Sequence, residues 1–406
     1  MALYKNGTIT IKSEDIERVI AAKPDNTSNA RGYFKQAKLK NSTHISAAEL
    51  KREYGNVPVI VRGDNGIVPK HGVDATDIVP MPIEIDDKIS AVDMDELERT
   101  TDMGVNQIVD EYLDQHADMV RETTNALCCQ AHRGKIDYMM KSGGETIRYK
   151  VDYGDVSKID FAENLATLTR GQAIALLTKM AQTAKKNGVG GSGEFIAGAK
   201  VYERFIDLLT KAELDSQVHD GYLSMGSFKV IMDNDSYTDI VGGSKVTKSL
   251  CGDYEICYRA LNAGQKLVFL RLDDVVQRSA VPVYSFTEKG DGQRGTRLYT
   301  KSKPFPLINT KGIVWGEFKE TASYKVKFTA GTNGTLAATV DGEAITSGDE
   351  VEEGKTVVLT ATPADTYAVK EWSGKSKDSL VDSGENAKSI EVDGDIQVSV
   401  SFKSAN

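Results

Sequence analysis

The sequence predicts an α+β fold with an extended N-terminal part, one long helix, a compact α/β lobe and a small all-β module at the C-terminal end. Three observations predict it. A helical apolar period runs unbroken for roughly 30 residues, from 103 to 133. Helical stretches alternate with short apolar strands over residues 160–280. Period-2 runs closed by turn pairs fill residues 321–406. At 406 residues the chain exceeds what one hydrophobic core holds, so two or three domains are expected.

Composition narrows the function classes. The chain is 40% hydrophobic and carries a formal charge of −9. Real cores are affordable, and a broadly basic nucleic-acid-binding surface is not expected. No run approaches the ~18 apolar residues of a membrane span. Residues 1–12 lack the charged-then-apolar pattern of a signal peptide. Four cysteines in such a length point to reduced, structural thiols and a cytoplasmic product.

Residues 1–56 are polar, with short helix signals at 13–22 and 46–53. Residues 57–92 read as an extended ribbon: the run 57–61, a polar turn at 62–66, then 78–85. Pro58, Pro69, Pro80 and Pro82 forbid a helix and confine these runs to sheet edges. A lone two-stranded ribbon is marginal in water, so this one needs a partner.

The long helix places Val105, Ile108, Val109, Tyr112, His116, Met119, Val120, Thr123, Leu127 and Ala131 on one stripe. Its length would be about 45 Å. Gly134 is the expected stop. A strand pair follows, 136–141 and 146–151, joined at Gly143-Gly144. In the lobe, helical stretches are expected at 161–186 (as two helices) and 199–211, with buried strands at 228–232 and 267–270. Strand-like alternation returns after Val281 and ends at 312–318.

The last 86 residues differ in kind. They hold 8 lysines, no arginine, histidine, cysteine or methionine, and 14 acidic residues, so they carry −6 of the −9. Alternating runs at 324–328, 335–340, 356–362, 367–372 and 396–402 are punctuated by Asn333-Gly334, Asp341-Gly342, Glu353-Gly354 and Asp393-Gly394. Trp372, Tyr367, Val358 and Phe402 are the expected core anchors.

Motifs for catalysis do not assemble. Gly188-x-Gly190-x-x-Gly193 matches the dinucleotide fingerprint as a string, but a helix rather than a strand precedes it. Glu194 follows it where a P-loop needs lysine. Cys128 and Cys129 are adjacent on a helix, about 100° apart, and cannot chelate one metal together. The five histidines form no His-x-x-x-His pair. The expectation is a non-enzyme with no catalytic, cofactor-binding or metal-binding residues and no cofactor.

The tail resembles the divergent InlB B-type bacterial repeat, an Ig-like or ubiquitin-like β module. The resemblance rests on Tyr324-x-Val-x-Phe328, Gly334-Thr-Leu336, Leu359-Thr-Ala-Thr-Pro363, Tyr367-x-Val-x-x-Trp372 and Val398-Ser-Val-Ser-Phe402. Such modules hang on larger proteins as exposed appendages.

The order of parts before it resembles the major capsid proteins of tailed bacteriophages, the HK97-type fold, and within them the lambda-like capsid protein E family. Residues 57–85 with Pro69-Lys-His71 match the extended E-loop, 95–133 the spine helix, and 134–154 the strand pair after it. Residues 195–209 match the axial strand-then-helix, and 297–318 the closing strands. The resemblance implies an N-terminal arm at 1–56, an E-loop at 57–93 and a peripheral domain at 94–155. It further implies an axial domain at 156–280, returning peripheral strands at 281–320 and the β module at 321–406.

It also implies a structural function: copies form hexamers and pentamers of an icosahedral head around double-stranded DNA. The implied partners are other copies, a scaffolding protein, a portal protein and DNA held without sequence-specific contact. No membrane is involved, assembly is in the host cytoplasm, and the product resides in the virion. Arg62, Asp64, Lys70, Asp86, Asp87 and Lys88 on the ribbon are the candidates for fixing register between subunits. The alternatives are a tail-tube protein with an Ig-like module, an adhesin or surface protein, and an encapsulin-like compartment. The long helix argues against the first and the missing signal pattern against the second.

Overall fold

A computed structural model describes residues 3–5, 8–10, 28–34, 37–46, 78–89, 102–289, 296–320 and 322–405. The helix signal at 13–22, all but Ser46 of the one at 46–53, and the strand at 57–61 lie outside them. Within them the chain is α+β. Its contacts divide it into two units. The first comprises Met1–Lys158, Leu177–Ala199 and His219–Trp315; the second comprises Ile159–Leu176, Lys200–Val218 and Gly316–Asn406.

The first unit is organised on the helix Asp102–His132, 31 residues long. Its buried stripe is Val109, Leu113, His116, Ala117, Val120, Thr124, Leu127, Cys128 and Ala131. This is rotated from the expected stripe: Leu113 and Thr124 face inward, while Met119 is exposed. Gly134 ends the helix at φ +81°, and its N–H donates to the Ala131 carbonyl. The hairpin Lys135–Ser142/Glu145–Asp152 follows, and Gly143 and Gly144 both take positive φ, as its two-residue turn requires.

Behind the helix lies a mixed sheet. The strand Gly193–Ala197 pairs in parallel with Phe228–Met232 and antiparallel with Glu255–Ala260. The glycine-rich string therefore leads from a helix into a strand, the reverse of a dinucleotide-binding turn. Gly198 closes this strand against backbone: a Cβ there would lie 1.9 Å from the Gly252 carbonyl oxygen. Gly198→Ala is expected to cost about 3 kcal/mol or more, because a peptide group cannot swing aside as a side chain can. Chemical denaturation measures it.

Residues 28–34 and 37–40 are fastened to this unit. Tyr33 and Phe34 are buried against the His132 ring, with centroids 5.1 and 5.7 Å away. The Tyr33 hydroxyl donates to the Ala260 carbonyl at 2.8 Å. The strand Ala37–Lys40 then runs parallel to Lys266–Leu270. Tyr33 and Phe34 join Leu127, Cys128, Ile196, Phe305 and Trp315 in one core. Arg133 binds Glu255 through two N–H groups, at 2.8 and 2.5 Å, and stacks 3.6 Å from the Trp315 ring. All four cysteines are free and buried in that core, and burial raises their thiol pKa values.

Two helical expectations need correction. Residues 161–169 are irregular, and a single helix, Arg170–Lys186, follows. Asn164 bonds the Ala166 N–H, which favours a turn, and Thr169 with Gln172 forms the reciprocal bonds of a helix start. The 199–211 stretch is likewise broken. The helices Ala199–Asp207 and Lys211–Gln217 are separate, the second opened by a Thr210–Glu213 capping box. A hairpin the sequence reading missed, Ser236–Val241/Ser244–Ser249, turns at Gly242-Gly243.

In the second unit, residues 323–404 form two packed sheets. One holds Glu350–Glu352, Ser323–Ala330, Ile396–Ser404 and Tyr367–Ser373, in that order. The other holds Glu343–Ile345, Gly334–Val340, Thr356–Pro363, Ala387–Glu391 and Val381–Gly384. The first and last long strands pair in parallel, Val326 opposite Ile396. The core is Val326, Val351, Val357, Leu359, Ile390, Ile396 and Val398. Val358 is therefore one residue out of phase with its expected role. Trp372 packs on this core while partly exposed, and the Phe402 ring fills the space a Cβ at Gly334 would need.

Candidate subunit interface

The strand Ile83–Ile89 is the described end of the expected ribbon. It lies at the edge of a three-stranded sheet, antiparallel to Thr296–Ser302, which pairs in turn with Tyr284–Lys289. Pro80 and Pro82 precede it and offer no N–H to a neighbour, as an edge position tolerates. Glu84, Asp86 and Lys88 point to solvent, and Ile89 is buried.

Of the six candidate register residues, Arg62, Asp64 and Lys70 lie outside the described residues. The other three share this strand. Asp86 sits 3.6 Å from the Arg297 guanidinium, with both side chains about half exposed. Such a pair contributes about 0–1 kcal/mol. Asp87 accepts from the Lys88 N–H at 2.7 Å, and its other oxygen lies 3.5 Å from His116 Nε2. Lys88 extends into solvent. Two of the three thus have partners inside their own chain.

The sequence reading did not give His116 this role. It is buried on the long helix, its Nδ1 is 2.8 Å from Thr300 Oγ1, and Thr300 meets Ser285 Oγ at 2.7 Å. The result is a polar line from the helix across all three strands. Burial lowers the His116 pKa, while Asp87 opposes that shift. Thr300 and Ser285 are both buried, so the line ties elements together and presents no accessible nucleophile.

Beside the strand runs a groove of about 680 Å³ lined by Ile83, Ile85, Met119, Tyr138, Met139 and Tyr237, among others. A second, polar cleft of about 450 Å³ lies where residues 28–31 meet the long helix. There Asp235 accepts the Ala30 N–H at 2.6 Å and Asn29 reaches the Met232 carbonyl at 2.9 Å. Among the described residues no helix is long and apolar enough to cross a membrane.

The model of phage major capsid protein E matches residues 18–315. The chain belongs to the phage major capsid protein E family. The divergent InlB B-repeat domain matches residues 324–406. A search of curated proteins finds no match. Among solved structures, a protein assigned as the capsid protein of an E. coli CFT073 prophage aligns at TM-score 0.52 and 12% identity, over 77% of this chain and 100% of that one. A phage-related protein from Bordetella bronchiseptica RB50 aligns at 0.42 and 10%, over 76% and 97%. The mature capsid of bacteriophage PhiM1 aligns at 0.41 and 10%, over 74% and 89%. The first likeness carries the fold argument.

This capsid protein therefore has the HK97-type fold, with the helix Asp102–His132 as its spine and a B-repeat-like all-β domain after residue 320. Capsid protein E is a structural family of the virion.

Proposed function

We propose that this chain is the wall subunit of a phage head, forming hexamers and pentamers that close into an icosahedral shell around double-stranded DNA. The observation that carries the reading is the family match over residues 18–315 on a chain built around a 31-residue spine helix. Assembly takes place in the host cytoplasm with a scaffolding protein, and a portal protein occupies one vertex. The role is structural and uses no catalysis. DNA is held without sequence-specific contact; the −3 charge of residues 1–320 suits a wall that does not grip it.

The subunit divides into an arm at 1–56, an E-loop at 57–93, a peripheral domain at 94–155 and 281–320, an axial domain at 156–280 and an outward β module at 321–406. The arm and E-loop, apart from the segments 28–34, 37–40 and 83–89 that are fastened within the chain, gain stability by lying on neighbouring subunits. Arg62, Asp64, Lys70, Asp86, Asp87 and Lys88 set the register there, with Asp86 and Asp87 exchanging their internal partners for those of a neighbour.

Light scattering on the full-length chain beside a 1–320 truncation tests this reading. Large particles from both are expected, because the module decorates the wall. Particles from the full chain alone would make the module part of the wall. Particles from neither, even with scaffolding protein coexpressed, would overturn the reading.

A further inference from the structure

Among the described residues the two sheets of the β module end in four edge strands. These are Glu350–Glu352 and Tyr367–Ser373 in one sheet, Glu343–Ile345 and Val381–Gly384 in the other. An exposed edge strand offers its backbone to any chain that can lie beside it. Glu343–Ile345 and Glu350–Glu352 are three residues each, too short to hold such a partner. The longer two are irregular. Along Tyr367–Ser373 the register steps from Val369 opposite Phe402 to Glu371 opposite Ser401, which leaves the exposed Lys370 as an extra residue. Along Val381–Gly384 it steps from Asp382 opposite Lys388 to Gly384 opposite Ala387, and the exposed Ser383 is the extra one. The interior ladders keep an unbroken register, 326–330 with 396–400 and 334–340 with 357–363. The register breaks of the module thus fall on its edges.

We propose that these two bulges keep the β modules of neighbouring copies from pairing edge to edge. A bulge bends its strand and increases the local twist, so a regular strand from another copy cannot follow it. Lys370 adds a charge at that point. Without the bulges both edges would invite pairing: Tyr367, Val369 and Trp372 lie on one, and Val381, 63% exposed, lies on the other. The partner excluded is a second copy, because identical strands stack in register and assembly holds identical modules at high local concentration. That crowding rests on the shell reading above, whereas the closed edges belong to the single chain. The module then stays a separate appendage however closely copies are packed.

The test is the full-length chain with Lys370 and Ser383 deleted, beside wild type. Each deletion removes only the extra residue, so every other residue keeps its partner and its face of the sheet. Sedimentation should show the variant leaving the monomeric state at a concentration roughly tenfold or more below wild type, since about two or three new backbone hydrogen bonds suffice for that. A variant as dispersed as wild type would overturn the proposal. A further change, Ala368→Glu in the deletion background, separates edge pairing from misfolding. Position 368 lies opposite Lys403, so a carboxylate there suits the module and charges the straightened edge. Restored dispersal supports the proposal, and continued association contradicts it. The measurement is made on unassembled chains. Failure of wild type to form particles would therefore sink the shell reading and leave this result standing.

Discussion

Replacing Glu194 with glutamine is expected to destabilise the subunit by about 3–5 kcal/mol, the usual cost of leaving a buried charge without its partner. Glu194 and Arg259 face each other across the antiparallel strands Gly193–Ala197 and Glu255–Ala260. Arg259 is 3% exposed and meets Glu194 Oε1 through two nitrogens, at 2.9 and 2.7 Å. A third nitrogen donates to the Asn29 carbonyl at 2.5 Å, and the guanidinium lies 5.1 Å from the Tyr33 ring. The pair thus orients the group that holds residues 29–33. Denaturant unfolding should show the loss, and amide exchange at 29–34 should quicken. The double variant Glu194→Leu/Arg259→Met should recover much of the stability, since it strands no charge, while exchange at 29–34 stays fast.

The second large effect is acid sensitivity. His132 is fully buried at the end of the spine helix, with Nδ1 2.8 Å from the Cys128 carbonyl. Burial lowers its pKa to about 3, and Arg259 and Arg133 push in the same direction. The folded state therefore binds fewer protons than the unfolded chain below pH 6.5. Stability from this residue is fully present above pH 6.5 and is lost as pH falls toward 3, by up to about 1.4 kcal/mol per unit. His116 acts in the same direction. Asp233 acts oppositely between its ordinary value and about 6, because burial raises its pKa. The difference between wild type and His132→Gln isolates the term. Unfolding free energy measured from pH 7 to pH 4.5 should fall less steeply in the variant. Equal slopes would show that His132 does not set the acid response.

Legibility in the sequence varied with how far apart the partners lie. The spine helix was readable because its period persists over eight turns, yet its inward face was misjudged at Met119, where a Met beside Val120 fits either stripe. The five tail strands that were expected fall where Asn-Gly and Asp-Gly turns help bound them, while Glu343–Ile345, Glu350–Glu352, Val381–Gly384 and Ala387–Glu391 were not read. Within the strand Thr356–Pro363, three successive apolar residues, Val357-Val358-Leu359, leave the phase of a period-2 pattern undetermined. The break at 161–169 follows from side chains that bond their own backbone, which a helical apolar count does not weigh.

The interface was less legible. Charge type alone marked Asp86, Asp87 and Lys88, but not that Asp87 faces His116 or that Arg297 meets Asp86. Those partners are remote in sequence and become neighbours only through sheet pairing. The fastening of residues 28–34 by Asp235 and Arg259 was invisible for the same reason.

The central claim is that copies of this chain close into a shell. Cryo-electron microscopy of the purified full-length chain, with and without coexpressed scaffolding protein, tests it most directly. The account predicts closed particles whose wall repeats this subunit, with the spine helix in the wall and the β module projecting from the outer face. A chain that stays monomeric under both conditions would contradict it.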